Sequence, residues 1–475
     1  MSESIPQRAY GTEFEYGILI NNSDDLPSAF FRHLPAGLDG IHNSAGMRTN
    51  GSRIYPDVGH AEYALPECTS LDDLVHADFA GEEIMTEACN ALTEETGRSY
   101  RIHKRGVATN GSNYGAHESY TVDQSIRFDN TTDQRKNYLV QALAVHYISR
   151  MALVGAGYYD FGESKWMVSQ RAYRFDVLSN FYCHVDSERP LVDTRNEPLA
   201  DPDRFRRLHV SHGDPNVSPW ALRNKIGMTS AYLSLLEHGV PMDDLFLYAP
   251  LKAAYSVASD VGLREKLVLA NGKNIHALDL QAEIAERILT LHEREGAVPA
   301  DEVAVAEDTH ITATRAKQDP AELVYKSDWK TRITFAEQEK VSNARDLDEY
   351  HNKLAAADLL YDAIAIKEPG EAVVRRGIGH RLRTRGRFGE IDTDKIAALK
   401  VSPPQGSRAQ LRGALLAAAE DPAVQARYGE VKQAWWDEVN FPNIPQPLEL
   451  KDPFRTRPSR TMRRILNTAG IEYDG

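Results

Sequence analysis

Apolar and polar positions alternate with period two in four stretches of this chain. That period predicts strands over residues 10–20, 53–58, 100–108 and 118–128, with turn-forming residues between them. A 3.6-residue period takes over at 71–95, where Ser70 is suited to cap a helix starting at Leu71. A second helix is predicted over 135–155, with an apolar stripe through Leu139, Val140, Leu143 and Tyr147. The stretch 165–215 is mixed and holds strand candidates at 166–173 and 180–186. Helices then dominate, at 218–239, 274–296, 300–318, 321–336 and 344–363. Pro403-Pro404-Gln405-Gly406 interrupts the chain, and helices are expected at 408–419 and 421–436. Pro442, Pro445 and Pro447 predict a stiff, extended connector. Early strands, late helices and no alternating βαβ series give an α+β class. A boundary near 398 divides the chain into a large domain (1–397) and a small C-terminal one (398–475).

The 475 residues are enough for one large core and a smaller one. With 42% hydrophobic and 26% charged residues, the composition is that of a globular protein. No apolar run is long enough to span a bilayer, so no membrane partner is expected. The N-terminal Met-Ser-Glu-Ser-Ile-Pro lacks the basic-then-apolar pattern of a secretion signal. Cys68, Cys89 and Cys183 are too few and too far apart for a disulfide framework or a zinc site, which points to a reducing cytoplasm. A net charge of −14 argues against nucleic acid as a partner. Two basic clusters stand out against it: Arg375, Arg376, Arg381, Arg383, Arg385 and Arg387, and Lys451, Arg455, Arg457, Arg460, Arg463 and Arg464. Each is either a docking face for an acidic partner or a set of intramolecular ion pairs.

The chemistry concentrates in two strand segments. One is Gly-Thr-Glu-Phe-Glu-Tyr-Gly at 11–17; the other is Asn-Gly-Ser-Arg-Ile-Tyr-Pro-Asp-Val-Gly-His-Ala-Glu-Tyr-Ala at 50–64. Alternation puts Glu13 and Glu15 on one strand face, and Tyr55 and Asp57 on one face of the next. With Glu62 and Glu67 they form an oxygen-rich set, with Arg53 and His60 close by. Clustered carboxylates beside apolar neighbours call for a compensating charge, and a hard divalent cation such as Mg²⁺ is the simplest one. Surface acids on edge strands are the bland alternative. Tyr114-Gly-Ala-His-Glu-Ser-Tyr120 is a second candidate: Gly115 allows close backbone approach, and His117 or Glu118 could meet the acids. Arg207 and His209 alternate on a third strand, an arrangement suited to phosphate contacts or equally to an ordinary ion pair. No phosphate-binding Gly-rich loop, metalloprotease helix motif, Cys-x-x-Cys pair or nucleophile elbow is present.

These segments, followed in order by Thr194-Arg-Asn-Glu-Pro198, Arg206-Arg-Leu-His-Val210, Arg408-Ala-x-x-Arg-Gly413 and Lys451-Asp-Pro-Phe454, resemble the family of the Pup ligase and the Pup deamidase/depupylase. The resemblance implies a glutamine-synthetase-like large domain, a curved antiparallel sheet packed by helices, with a small C-terminal domain. It implies Mg²⁺ ligation by Glu13, Tyr55 and Glu62, ATP contact by Arg53, and Asp57 as the catalytic aspartate. Trp436 matches the family's nucleotide-contacting tryptophan, with Trp435 adjacent. The partners implied are Pup, an acidic disordered protein modifier, and lysine-bearing or pupylated target proteins. Four departures mark the chain: Leu65 in place of a nucleotide-contacting threonine, Lys104-Arg105 in place of Lys-Asn-Asn, Leu199 in place of a His, and Ser218-Pro-Trp-Ala in place of a Ser/Thr-rich run.

The resemblance leaves two directions. A ligase joins the C-terminal glutamate of Pup to a target lysine using ATP; a depupylase cleaves that isopeptide bond with the nucleotide kept as cofactor. Only Asn21 to Thr49 separates the first two motifs, so the long insertion of the depupylase branch is absent. Lys451-Asp-Pro-Phe454 is also ligase-like, whereas Gly-Thr-Glu-x-Glu-Tyr-Gly is nearer the depupylase version. The ligase is the favoured direction.

Overall fold

A computed structural model describes residues 8–21, 46–57, 60–108, 111, 113–124, 126, 134–181, 188–340 and 344–473. Its framework is a seven-stranded antiparallel sheet. The strands are β1 (Tyr10–Ile20), β2 (Arg53–Asp57), β3 (His60–Ala64), β4 (Tyr100–His103), β5 (Ala116–Asp123), β6 (Phe205–Val210) and β7 (Ala363–Lys367). They run β6-β5-β1-β3-β2, while the far end of β1 pairs with β4 and β4 with β7. This mixture of helices with an antiparallel sheet is the glutamine-synthetase-like α+β fold.

One face of the sheet is apolar. Tyr10, Phe14, Tyr16 and Ile18 from β1, with Tyr63, Tyr120 and Leu208, are buried beneath helices. Among these are α1 (Leu71–Thr96), α2 (Gln134–Val154) and α3 (Pro219–Glu237). Ser70 caps α1 by accepting from the Asp73 amide, and Gly97 ends it in the left-handed region at φ 65°. Ser218 does the same for α3, so the unusual Ser218-Pro-Trp-Ala run is a helix start with Pro at its first turn. Helices α4 (Pro250–Ser259), α5 (Ala277–Glu295) and α6 (Ala300–Gln318) follow, then α7 (Asp328–Lys340) and α8 (Leu347–Tyr361).

Several boundaries differ from the periodicity. The expected 321–336 helix is a short 3₁₀ turn, Pro320–Leu323, then α7; Tyr325 at φ 66° breaks the run. The helix expected to 363 stops at Tyr361, and β7 follows. All five β7 residues are buried, so no alternation betrays it. The 100–108 strand ends at His103, because Lys104 and Arg105 turn into buried ion pairs. The 118–128 strand starts earlier, at Ala116, and ends at Asp123. Residues 274–276 pair as a strand with Lys266–Val268 before α5 begins. The 166–173 candidate is a strand only over Lys165–Met167. Most of the 180–186 candidate, and Cys183 with it, lies outside the described residues.

A second, separate core gathers Leu411, Leu415, Leu450, Met462 and Ile465 with Met47. It is built from α9 (Arg408–Ala419), α10 (Pro422–Tyr428), a small sheet of Gln433–Ala434, Glu438–Asn440 and Leu448–Glu449, and α11 (Arg460–Thr468). The expected 421–436 helix stops at Tyr428, where Gly429 takes φ 81°. Trp435, Trp436 and Asp437 therefore form a hairpin turn, with the Trp435 amide donating to the Glu438 carbonyl at 2.9 Å. The proline segment 442–447 is a turn rather than an extended connector, held by the Ile444 amide on the Phe441 carbonyl at 3.1 Å.

The basic clusters divide. Arg376, Arg383 and Arg375 pair with Glu83, Glu82 and Glu371, so half of the first cluster is intramolecular. In the second, Arg460, Arg463 and Arg464 lie exposed on α11 opposite its buried Met462, Ile465 and Leu466.

Candidate active site

The uncovered face of the sheet is polar because its register makes it so. Glu13 stands opposite Ala64 and His117, Glu15 opposite Glu62, and Glu62 opposite Tyr55. Asp57 pairs with His60, and His209 with Ser119. Residues directly opposite in an antiparallel pair project to the same side. Five strands therefore aim Glu13, Glu15, Tyr55, Asp57, Glu62, His60, His117 and Arg207 into one groove.

The contacts are close. Arg207 Nη2 pairs with Glu13 Oε1 at 3.0 Å, and Arg207 Nε donates to Ser119 Oγ at 3.0 Å. His117 Nδ1 is 3.5 Å from Glu13 Oε2, and His60 Nδ1 is 2.7 Å from Glu15 Oε2. Two triads, Glu13–Glu62–His117 and Glu15–Asp57–Glu62, each bring three donor atoms within 4.8 Å of one another. A Cβ at Gly115 would stand 2.4 Å from His117 Nε2 and 2.6 Å from Glu15 Oε1, so a larger residue there would push these two groove side chains aside.

The electrostatics follow from this crowding. Burial pushes the Glu62 carboxyl up, the charge of Glu13 adds to it, and it reaches about 8. Burial, then Glu15, also raises Asp57. Burial works the same way on Glu13, but Arg207 and the His117 hydrogen bond outweigh it and hold that carboxyl below the usual range. Glu62 Oε2 is buried with no hydrogen-bond partner. The Tyr55 phenol is held neutral by burial and by Glu13 and Glu62. Surplus carboxylate oxygen with an orphaned buried atom is a donor set that fits a hard divalent cation.

Next to the acids lies a cavity open to solvent, reached by Glu13 and Arg207. Leu65, Leu199, Pro198, Pro453 and Trp436 form its apolar walls. Two of the departures, Leu65 and Leu199, thus meet at one place. Trp436 lies over the Arg412 guanidinium at 4.9 Å, and Arg412 Nη1 donates to the Trp436 carbonyl at 2.8 Å. The neighbouring Trp435 turns instead toward Arg53, whose guanidinium also lies 3.8 Å over the Tyr55 ring.

Two acids of the sequence constellation are elsewhere. Glu67 is bound by Arg408 and Arg412, which turns the Arg408-Ala-x-x-Arg motif into a structural clamp one helical turn apart. Glu118 lies on the core face, bound by Arg150; only its neighbour His117 enters the groove. Lys104-Arg105 is likewise a core feature: Lys104 meets Asp78 and Glu82, and Arg105 meets Asp358 and Asp362. Sequence reasoning placed Ser119 and Arg412 inside quoted motifs but gave neither its role: Ser119 orients Arg207, and Arg412 backs Trp436. The period-two spacing from His117 could have found Ser119; nothing local could have found Arg412's ring contact.

Known proteins resemble this chain over most of its length. Residues 8–437 match the family model described as Pup-ligase protein. The Pup–protein ligase of Acidimicrobium ferrooxidans is 33% identical over 97% of this chain and 99% of that protein. The depupylase of Acidothermus cellulolyticus is 31% identical over 83% of this chain and 74% of that protein. Among solved structures, the ligase PafA in complex with the prokaryotic ubiquitin-like protein Pup superposes with a TM-score of 0.80 at 25% identity, covering 98% of this chain and 93% of that one. PafA in complex with ADP gives 0.74 at 26% identity, with 94% of each chain covered. This chain belongs to the Pup-ligase family.

Proposed function

We infer that this protein is an ATP-dependent Pup–protein ligase, which joins the C-terminal glutamate of Pup to a lysine of a target protein. Collinearity carries the direction. The match to the Acidimicrobium ligase takes in 99% of that protein, whereas the match to the depupylase leaves a quarter of it unaccounted for. The groove is built for the same chemistry: a cavity for the nucleotide opens directly onto a carboxylate-lined face.

The roles of individual residues follow as part of the same proposal. Trp436 stacks on the nucleobase, with Arg412 beneath it. Arg53 and Arg207 contact the phosphates, where guanidinium donors suit phosphate oxygens. Glu13, Tyr55 and Glu62 hold Mg²⁺, which would neutralise phosphate charge. The γ-phosphoryl group of ATP passes to the Pup glutamate side chain, giving a glutamyl phosphate and ADP. Asp57 then takes a proton from the target lysine, whose freed Nζ attacks the acyl carbon; the amide forms and phosphate leaves. Asp57 lies at the β2 edge of the sheet, half-exposed and 57 → 60 across from His60, where a protein substrate can reach it.

The division near 398 stays part of this reading, supported by the second core, although the helix Thr393–Val401 crosses that position. A reducing cytoplasm is the compartment proposed, since Cys68 and Cys89 are free and buried. No described helix is long and apolar enough to cross a membrane.

The test mixes purified protein, Mg²⁺ and ATP with Pup ending in glutamate and a lysine-bearing target; a preformed conjugate goes into a parallel tube. Conjugate formation with stoichiometric ADP release supports the ligase. Cleavage of the conjugate without net ATP turnover would reverse the assignment.

A further inference from the structure

Glu67 takes no part in the phosphoryl or amide step, yet two buried guanidiniums close on its carboxylate. Arg408 Nε donates to Oε1 at 2.7 Å; Arg412 donates to Oε1 at 3.1 Å and to Oε2 at 2.5 Å. The backbone beneath it is pinned. Glu67 follows β3 between Leu65, whose amide donates to the Thr12 carbonyl at 2.9 Å, and Cys68, which exchanges two hydrogen bonds with Tyr10 at 2.9 Å each. Ser407, the cap of α9, donates its hydroxyl to the Glu67 carbonyl at 2.7 Å. Burial would raise the carboxyl, but Arg412 and Arg408 outweigh it and hold it at about 2.

Both guanidiniums lead onward to one hairpin. Arg412 Nη1 donates to the Trp436 carbonyl at 2.8 Å, and the same guanidinium lies 4.9 Å from the centre of the Trp436 ring. Arg408 Nη1 donates to the Leu450 carbonyl at 2.9 Å, and the Leu450 amide donates to the Asp437 carbonyl at 2.6 Å. Arg412 also reaches a second target, since its Nη2 donates to the Gly51 carbonyl at 2.8 Å. Gly51 stands two residues before Arg53 at φ 79°, where a Cβ would lie 3.1 Å from the Ala409 Cβ and 3.2 Å from the Pro66 Cβ. This turn is therefore seated between the Glu67 segment and α9. Arg53 in turn lies over the Trp435 ring at 5.1 Å. Charge-assisted, forked hydrogen bonds fix direction as well as distance, and a buried guanidinium has no water to replace a lost partner.

We propose that Glu67 is the positioning residue of the cavity: through Arg412 and Arg408 it sets both the hairpin that carries Trp436 and the turn that precedes Arg53. Resting on the ligase reading, in which those two side chains contact the nucleotide, Glu67 governs nucleotide affinity by way of its guanidiniums. The chemical steps at Asp57 do not pass through it.

The experiment compares Glu67→Gln, Arg412→Lys and Trp436→Ala with the unaltered full-length protein. It measures KM for ATP and kcat in conjugate formation, displacement of a fluorescent ADP analogue, and the thermal midpoint without nucleotide. Arg412→Lys keeps a cation on Glu67 but lacks the fork that reaches both carbonyls, so it tests the geometry without stranding a buried charge. Asp362→Ala, in the matched core network, is the comparator for lowered stability alone. Glu67→Gln and Arg412→Lys are each expected to raise KM for ATP and weaken analogue binding by about tenfold or more, with kcat at saturating ATP within about threefold. Asp362→Ala lowers the midpoint and leaves KM in place. Adding Glu67→Gln to Trp436→Ala raises KM by less than the product of the two single effects, because both act on one hairpin. A KM that stays unmoved in Glu67→Gln and Arg412→Lys while the midpoint falls makes the clamp merely structural and overturns the proposal. Effects that multiply fully in the double variant overturn the route through Trp436. Analogue binding that responds as expected in a protein that forms no conjugate overturns the ligase reading and leaves the positioning role standing.

Discussion

The two faces of the same sheet treat charge in opposite ways. On the core face, acids and cations are matched. Lys104 and Arg383 meet Asp78 and Glu82, Arg105 and Arg332 meet Asp358 and Asp362, and Arg150 meets Glu118. In the groove, Glu13, Glu15, Asp57 and Glu62 crowd together with Arg207 and His117 on Glu13, His60 on Glu15 and Arg53 stacked on Tyr55, and no cation forms an ion pair with Glu62 or Asp57 among the described residues. The side chains are of the same kinds; only the matching differs. A buried, matched network fixes structure, since removing one partner strands a charge. An undermatched one costs stability and is kept where a cation or substrate completes it.

The sharpest way to break the contrast is Asp57→Asn. Conjugate formation should fall by about 10²–10⁴-fold, the range expected for loss of a general base, with the thermal midpoint nearly unchanged. Full activity in the conjugation assay would remove Asp57 from the mechanism. The converse substitution is Asp362→Ala. Asp362 accepts from Arg105 and Arg332 at 3.0 Å each and lies 3.2 Å from His103 Nδ1, so its loss leaves two buried guanidiniums on Asp358. Chemical denaturation should show a loss of about 3–5 kcal/mol, while turnover per folded molecule changes little. Equal effects on stability and on specific turnover would erase the distinction between the faces.

Glu302 sharpens the comparison from a third position. It lies in the core, accepting from Ser230 at 2.6 Å, and its Oε2 has no partner. Burial raises its carboxyl from 4.5 to about 7. A carboxyl whose folded value is raised is favoured neutral, so its contribution is complete below about pH 4.5 and is lost as pH rises through 7. Glu302→Gln should therefore leave stability similar near pH 4.5 and raise it at pH 8, by on the order of 3 kcal/mol. A gain of equal size at both pH values would mean that charge is not the cause. Smallest of all is Glu62→Gln. Removing one of the clustered groove carboxylates should stabilise the metal-free protein by about 1–2 kcal/mol and abolish the rise in thermal midpoint that Mg²⁺ gives the unaltered protein. A midpoint that still responds to Mg²⁺ would take Glu62 out of the ligand set.

Legibility in the sequence tracks the range of the interaction responsible. Strand β1, helices α1 and α2, and the caps Ser70 and Ser218 are set by nearest neighbours, and the periodicity found all but the Ser218 cap. Strand β7 escaped because burial on both sides erases its alternation. The 421–436 helix failed because Gly429 and the pairing of Gln433–Ala434 with Val439–Asn440 outweigh the local helical pattern. Glu13, Glu15 and Asp57 were legible as same-face pairs within a strand. That Glu62 stands opposite both Tyr55 and Glu15, and that Glu67 belongs to Arg408 and Arg412, depends on register and packing.

By itself the sequence determined the α+β class, the strand faces that carry the acids, and, through the order of its motifs, the family. Those are written in spacing along the chain, which no tertiary contact can alter. Tertiary structure alone decided which acids stay undermatched, that Trp436 rather than Trp435 walls the cavity, and that Leu65 and Leu199 meet there. Each of these joins residues tens to hundreds of positions apart, and only strand register and helix packing, driven by the buried face of the sheet, bring such residues within contact distance.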